Sequence, residues 1–113
     1  MAAKEDVLNK TYELLLYLVP ELEKFPKSQK FLLADRIQTK TLEVLEYLIE
    51  GYYRPHPEKI EPLRKVNLEL EKLRYLVRLS HDLRLFSHQK YGVISEKVNE
   101  VGRIVGGWIK SLQ

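Results

Sequence analysis

Val93-Ile-Ser-Glu-Lys-Val-Asn-Glu-Val-Gly-Arg-Ile-Val-Gly-Gly-Trp-Ile-Lys-Ser-Leu112 is the stretch that decides what this chain can fold into. Ile94, Val98, Val101, Val105, Trp108 and Leu112 recur at alternating steps of four and three. That spacing draws one apolar seam along a helix and turns it toward a neighbouring helix. Gly102, Gly106 and Gly107 lie in the same helix, and each costs about 1 kcal/mol of helix stability relative to Ala. A helix that accepts three of them beside the only Trp is expected to need close backbone approach there. The approach is to a neighbour inside the bundle, or to a subunit or ligand on its surface.

Three earlier segments carry the same kind of pattern. Residues 4–24 read as a first helix, with Leu8, Leu15, Leu18, Val19 and Leu22 on its apolar face and Leu14, Leu16 and Tyr17 widening it. Pro20 is expected to bend that helix or end it at Val19. Phe25-Pro26-Lys27-Ser28 reads as a helix–helix corner, with Ser28 as N-cap and Phe25 packing on Leu32 across the break. A second helix follows from about Gln29 to Tyr53, with Leu33, Ile37, Val44, Leu45 and Leu48 inward and Thr41 among them. Arg54-Pro-His-Pro57 is a turn, because a residue before Pro avoids the helical region. His56 there reads as a solvent-facing turn histidine.

The third helix, expected from Pro57 to Phe86, shows two stripes at about 100° per residue. Leu63, Val66, Leu70, Leu73 and Val77 form one; Leu68, Tyr75, Leu79 and Phe86 form the other, on the opposite side. A helix of an isolated small bundle needs a single apolar stripe. The second stripe therefore predicts a contact with another copy of the chain, the alternative being that it packs within a skewed bundle. Arg64, Arg74 and Arg78 lie between the stripes with Glu71 and Asp82 close by, a row that usually forms a solvated, salt-bridged face. Ser87-His-Gln-Lys90 is read as the link to the last helix. No β-alternation of useful length and no repeat occur. The expected architecture is all-α: a single domain over residues 1–113, an up-down-up-down four-helix bundle with short loops, assembled into a ring-like homo-oligomer.

Composition narrows the function. The 113 residues are 44% hydrophobic, enough for a real core, and contain no cysteine, so disulfides and thiolate metal sites are excluded. No apolar run approaches the ~20 residues of a membrane span, and Met-Ala-Ala-Lys-Glu-Asp lacks the apolar core of a signal peptide. A cytoplasmic protein is expected. The net charge is +3, unevenly spread. Residues 1–24 hold three basic and five acidic side chains, whereas residues 57–113 hold eleven and seven. A polyanion site is expected in the C-terminal half.

No enzyme signature is present. Phosphate-binding glycine loops and His-Glu-x-x-His are absent, and Gly102-x-x-x-Gly106-Gly107 is helical. The Glu-x-x-His element of di-metal bundles is also absent, since Arg78 precedes His81 by three and Leu85 precedes His88 by three. His81 and Asp82 are neighbours in sequence and point about 100° apart on a helix, so they make no dyad. No catalytic residue, metal site or cofactor is expected. Charge placement marks Arg74, Arg78, Lys90, Arg103 and Lys110 as candidate nucleic-acid contacts. Binding through them should be weakly selective and strongly salt-dependent.

Glu100-Val-Gly-Arg-Ile-Val-Gly-Gly-Trp-Ile-Lys110, preceded by Leu76-Val-Arg-Leu-Ser-His-Asp-Leu83 and Tyr91, resembles the C-terminal half of accessory variability determinant (Avd) proteins. Those proteins accompany the reverse transcriptases of diversity-generating retroelements. The Phe25-Pro26-Lys27 corner is shared with wider relatives, small four-helix proteins encoded in intervening sequences of bacterial ribosomal RNA genes. Gly106-Gly107-Trp108 behind Gly102-Arg103 points to the retroelement branch. The resemblance implies a pentameric barrel of four-helix protomers that is not catalytic. It implies binding of RNA and DNA through a basic surface, and of the reverse transcriptase, in support of mutagenic cDNA synthesis. The net charge of +3 is modest beside the markedly basic character of that branch. The alternative is a structural four-helix protein of the ribosomal intervening-sequence type, without defined activity.

Overall fold

Cross-helix ion pairs fix how the helices run. Lys10 meets Glu100 and Lys90 meets Glu21, so the first and last helices are antiparallel. Lys40 meets Glu69, and Lys59 reaches back to the Gly51 and Tyr52 carbonyls, so the second and third are antiparallel too. The computed structural model describes residues 3–113. Its four long helices are α1 (Ala3–Leu22), α2 (Asp35–Tyr53), α3 (Ile60–Asp82) and α4 (His88–Leu112). α1 packs on α2 and α4, and α3 packs on the same two, so α1 and α3 stand diagonally across the bundle. The bundle measures 44 × 23 × 20 Å.

Most of the expected core is observed. The α4 seam from Ile94 to Trp108 is buried, and Leu112 is half-buried. The inner α3 stripe, Leu63, Val66, Leu70, Leu73 and Val77, is buried throughout. Thr11, Thr41 and Ser80 are buried polar exceptions, and each hydroxyl donates to the carbonyl four residues back at 2.8–2.9 Å. Among the described residues no buried side-chain nitrogen or oxygen is left without a partner.

Several boundaries differ from expectation, each for a local reason. α1 runs on through the exposed Pro20 to Leu22, and Leu16 faces outward rather than widening the inner face. Pro20 lies in the last turn, so the helix runs only two residues beyond the hydrogen bond that Pro20 cannot make. The second helical stretch begins at Lys27 with Pro26 at the cap position, so Ser28 is not the N-cap. A π turn, Lys30–Ala34, then leads into α2. Its wider turn keeps Leu33 and Ala34 inside and leaves Phe31 and Leu32 exposed. Phe25 therefore does not staple onto Leu32; its ring packs edge-on against Phe86, 5.1 Å between centroids.

At the α2–α3 turn Lys59 caps the last carbonyls of α2 at 3.0 and 2.8 Å. Arg54 joins Glu50 to Glu61 across the same turn. α3 ends at Asp82, short of Phe86, in a reversal where Arg84 holds a left-handed φ of 65°. The Leu85 and Arg84 amides donate back to the Ser80 and His81 carbonyls, both at 2.8 Å. The Ser87 hydroxyl then accepts the Lys90 amide at 3.1 Å, so α4 starts at His88 and the expected link is its first turn.

The glycines divide. A Cβ on Gly102 would stand 2.8 Å from Nη2 of Arg74. Gly106 and Gly107 face open space, so the close approach expected at all three holds at Gly102 alone. Trp108 instead lies near Gly51, whose added Cβ would meet Leu63 Cδ2 at 2.8 Å and the indole at 3.7 Å.

Candidate nucleic-acid interface

Arg74 and Arg78, one turn apart on α3, face the stretch of α4 from Tyr91 to Gly102. Arg74 is held on three sides. Its Nε donates to Asn99 Oδ1 at 3.0 Å, one terminal nitrogen pairs with Glu71 at 3.0 Å, and the other lies over Gly102. Such a guanidinium is oriented before any ligand arrives. Arg78 is freer, 3.9 Å from Asp82. Between the helices runs a cleft of about 170 Å³ lined by Arg74, Tyr91, Ser95 and Asn99 over a floor of Val77 and Val98. It continues into a second hollow of about 180 Å³ bordered by Arg74, Tyr75, Arg78 and Tyr91.

The aromatic wall of this cleft is fixed as well. The His81 ring stacks on Tyr91, with centroids 4.3 Å apart and planes 16° from parallel. His88 stands 5.5 Å from His81, and Asp82 meets His81 Nδ1 at 3.4 Å. An oriented arginine beside aromatic faces is an arrangement that can hold a phosphate and stack a base.

The other expected cations are placed differently. Arg103 borders a shallower depression with Ser95 and Asn99, next to the cleft, and lies 3.7 Å from Glu100. Lys110 is exposed seven residues further on, which returns it to the same side of α4 as Arg103. Lys90 faces the other way. Its ammonium sits 2.6 Å from Glu21 on α1, and that hydrogen bond raises the Lys90 pKa and lowers that of Glu21. Lys90 thus serves as a tie between α4 and α1 and does not join the arginines.

Of the expected outer stripe on α3, Leu68, Tyr75 and Leu79 are 57%, 63% and 45% exposed. Phe86 is a correction: it is 3% exposed, inside the protomer. The helix ends before it, and the reversal at Arg84 carries it into the core beside Phe25. Ser95, Asn99 and Tyr91 were not anticipated as cleft residues. Only the register of α3 against α4 brings them opposite Arg74.

Among the described residues no cluster of His, Asp and Glu could hold a metal ion, and no helix is long and apolar enough to cross a membrane. A family model described as bAvd-like matches residues 7–112. The chain belongs to the bAvd-like family. Members of the bAvd-like family share a non-catalytic accessory fold, and the match agrees with the resemblance to accessory variability determinant proteins. No curated protein matches. Among solved structures, the bAvd-like bundle is similar to a protein of unknown function from the S23 ribosomal protein family of Bacteroides thetaiotaomicron. The two are 17% identical, with 96% of this chain and 99% of the other covered at a TM-score of 0.88, a likeness of fold.

Proposed function

We propose that this protein is a non-catalytic accessory factor of a diversity-generating retroelement. It binds RNA and DNA along the α3–α4 cleft, engages the reverse transcriptase, and supports mutagenic cDNA synthesis as a homo-oligomer, a pentamer by family resemblance. Membership of the bAvd-like family carries this reading. The oriented Arg74, with Arg78 and Tyr91 beside it, supports the nucleic-acid part. The carboxylates beside these cations do not block it. Exposed ion pairs contribute only about 0–1 kcal/mol, so a phosphate can take the place of Glu71 or Asp82. One protomer presents few cations, and each phosphate contact adds about one unit to the salt slope, so several copies in one assembly multiply a weak patch.

The test is binding of labelled RNA and DNA across a salt series, with Arg74→Glu/Arg78→Glu beside the parent chain, followed by co-purification with a reverse transcriptase encoded in the same locus. Affinity should fall steeply with salt and collapse in the folded double variant. Salt-independent binding, or full binding by the variant, would remove the cleft from the reading. A second reading is a structural four-helix protein of the ribosomal intervening-sequence type. Its support is that Arg74, Arg78, Lys90 and Arg103 each already face a carboxylate within the protomer.

A further inference from the structure

The bundle leaves two apolar faces uncovered, and they lie on different sides. One is the α3 stripe of Leu68, Tyr75 and Leu79. The other is shared by α1 and α2: Tyr12 and Leu16 one turn apart on α1, and Leu42, Ile49 and Tyr53 at steps of seven and four on α2, all exposed. α1 and α2 are neighbours, α3 stands diagonally across from α1, and all eight side chains stay exposed, so the two faces do not cover each other within one chain.

Their charges are opposite. Among the described residues, the exposed ionisable side chains of α1 and α2 are Glu13, Asp35, Glu46 and Glu50 against Arg36 alone. On α3 they are Arg64, Lys65, Lys72 and Arg78 against Glu61, Glu71 and Asp82. Glu50 also holds Arg54, and Lys72 and Arg78 each face a carboxylate on α3. Among the described residues Arg64 and Lys65 pair with no carboxylate; with Ile60, Leu68 and Glu61, whose carboxylate Arg54 already holds, they rim an open hollow of about 450 Å³. Two acidic faces brought together would repel, whereas the acidic face against the basic one attracts.

We infer that the acidic apolar α1–α2 face of one copy receives the basic apolar α3 stripe of the next. Such a contact is heterologous, leaves a free face of each kind at either end, and repeats until a ring closes. The inference rests on the homo-oligomer reading above and assigns the surface that completes it.

Two variants test it. Leu16→Glu/Ile49→Glu disables the receiving face, and Leu68→Glu/Leu79→Glu disables the stripe. All four positions are exposed, and circular dichroism confirms the fold; Ser replaces Glu at the same sites should either variant unfold. Light scattering should show the parent chain larger than a dimer and each variant alone as a monomer. An equimolar mixture of the two should double in mass to a dimer and go no further, because one intact face of each kind remains. A mixture that stays monomeric, or either variant that self-associates, overturns the pairing of faces while leaving oligomerisation standing. A monomeric parent chain overturns the oligomer reading and this inference with it.

Discussion

Arg74 of α3 extends its guanidinium across the bare backbone of Gly102 on α4, and the space a methyl group would take there is already occupied. The two positions are coupled in a way that separates stability from binding. Gly102→Ala gains about 1 kcal/mol of helix propensity. The clashing atom is the far end of a flexible side chain, so it moves aside at small cost and loses its alignment with Asn99. Urea unfolding should show a gain of about 0.5–1 kcal/mol, while anisotropy titration shows weaker RNA binding.

Gly51→Ala should have the opposite sign. The new methyl would meet Leu63, which is fully buried, and the rim of Trp108. Overpacking of this kind costs about 1–3 kcal/mol, partly offset by about 1 kcal/mol of propensity. A net loss of up to about 2 kcal/mol is expected. Trp108 emission, the only indole signal in the chain, reports whether the packing shifts.

Arg84 occupies a left-handed conformation that costs a side-chain-bearing residue about 1–2 kcal/mol. Arg84→Gly relieves that cost and gives back part of it as chain entropy. The expected result is a higher urea midpoint with an unchanged slope, equivalent to about 0.5–1 kcal/mol.

Glu69 supplies a pH signature. Burial pushes its carboxyl up, but hydrogen bonds from Lys40 and Lys72 outweigh that and hold it below the usual carboxylate range. The Glu69 hydrogen bond in turn raises Lys40. The lowered carboxyl stabilises the fold above its unfolded value of about 4.3 and ceases to do so as pH falls through its folded value. The raised ammonium contributes below about 10.4 and is lost as pH rises through its own folded value. Urea unfolding at stepped pH should trace both limbs. Glu69→Gln should flatten the acid limb and cost about 1–3 kcal/mol at neutral pH.

The core was legible because helical spacing is a local property: the α4 seam and the inner α3 stripe needed no knowledge of neighbours. Phe86 was misplaced because its side depends on where α3 stops, and Arg84 is not a residue type that announces a left-handed reversal. The i+3 and i+4 carboxylates beside Arg74 and Arg78 could be read from the sequence. Glu21 against Lys90 could not, since 69 residues separate them. Asn99 and Gly102 joined Arg74 only through helix register. The outer face of α2 did carry a signal, Leu42, Ile49 and Tyr53, but the stronger inner stripe of the same helix obscured it.

The π turn at Lys30–Ala34 bears on how the gene can vary. It holds the one place in the second helical stretch where the chain carries a surplus residue, and its three outward positions, Lys30, Phe31 and Leu32, are free of the core. Loss of one codon here would tighten the turn to ordinary α geometry and leave every residue from Asp35 onward in register with α3. The same loss within α2 would rotate all residues on one side of it by about 100° and break the core. Single-residue deletions scanned from position 28 to position 50 should therefore yield folded protein only at this turn, and folded deletants further along would show that the register tolerates more slippage than its ion pairs imply.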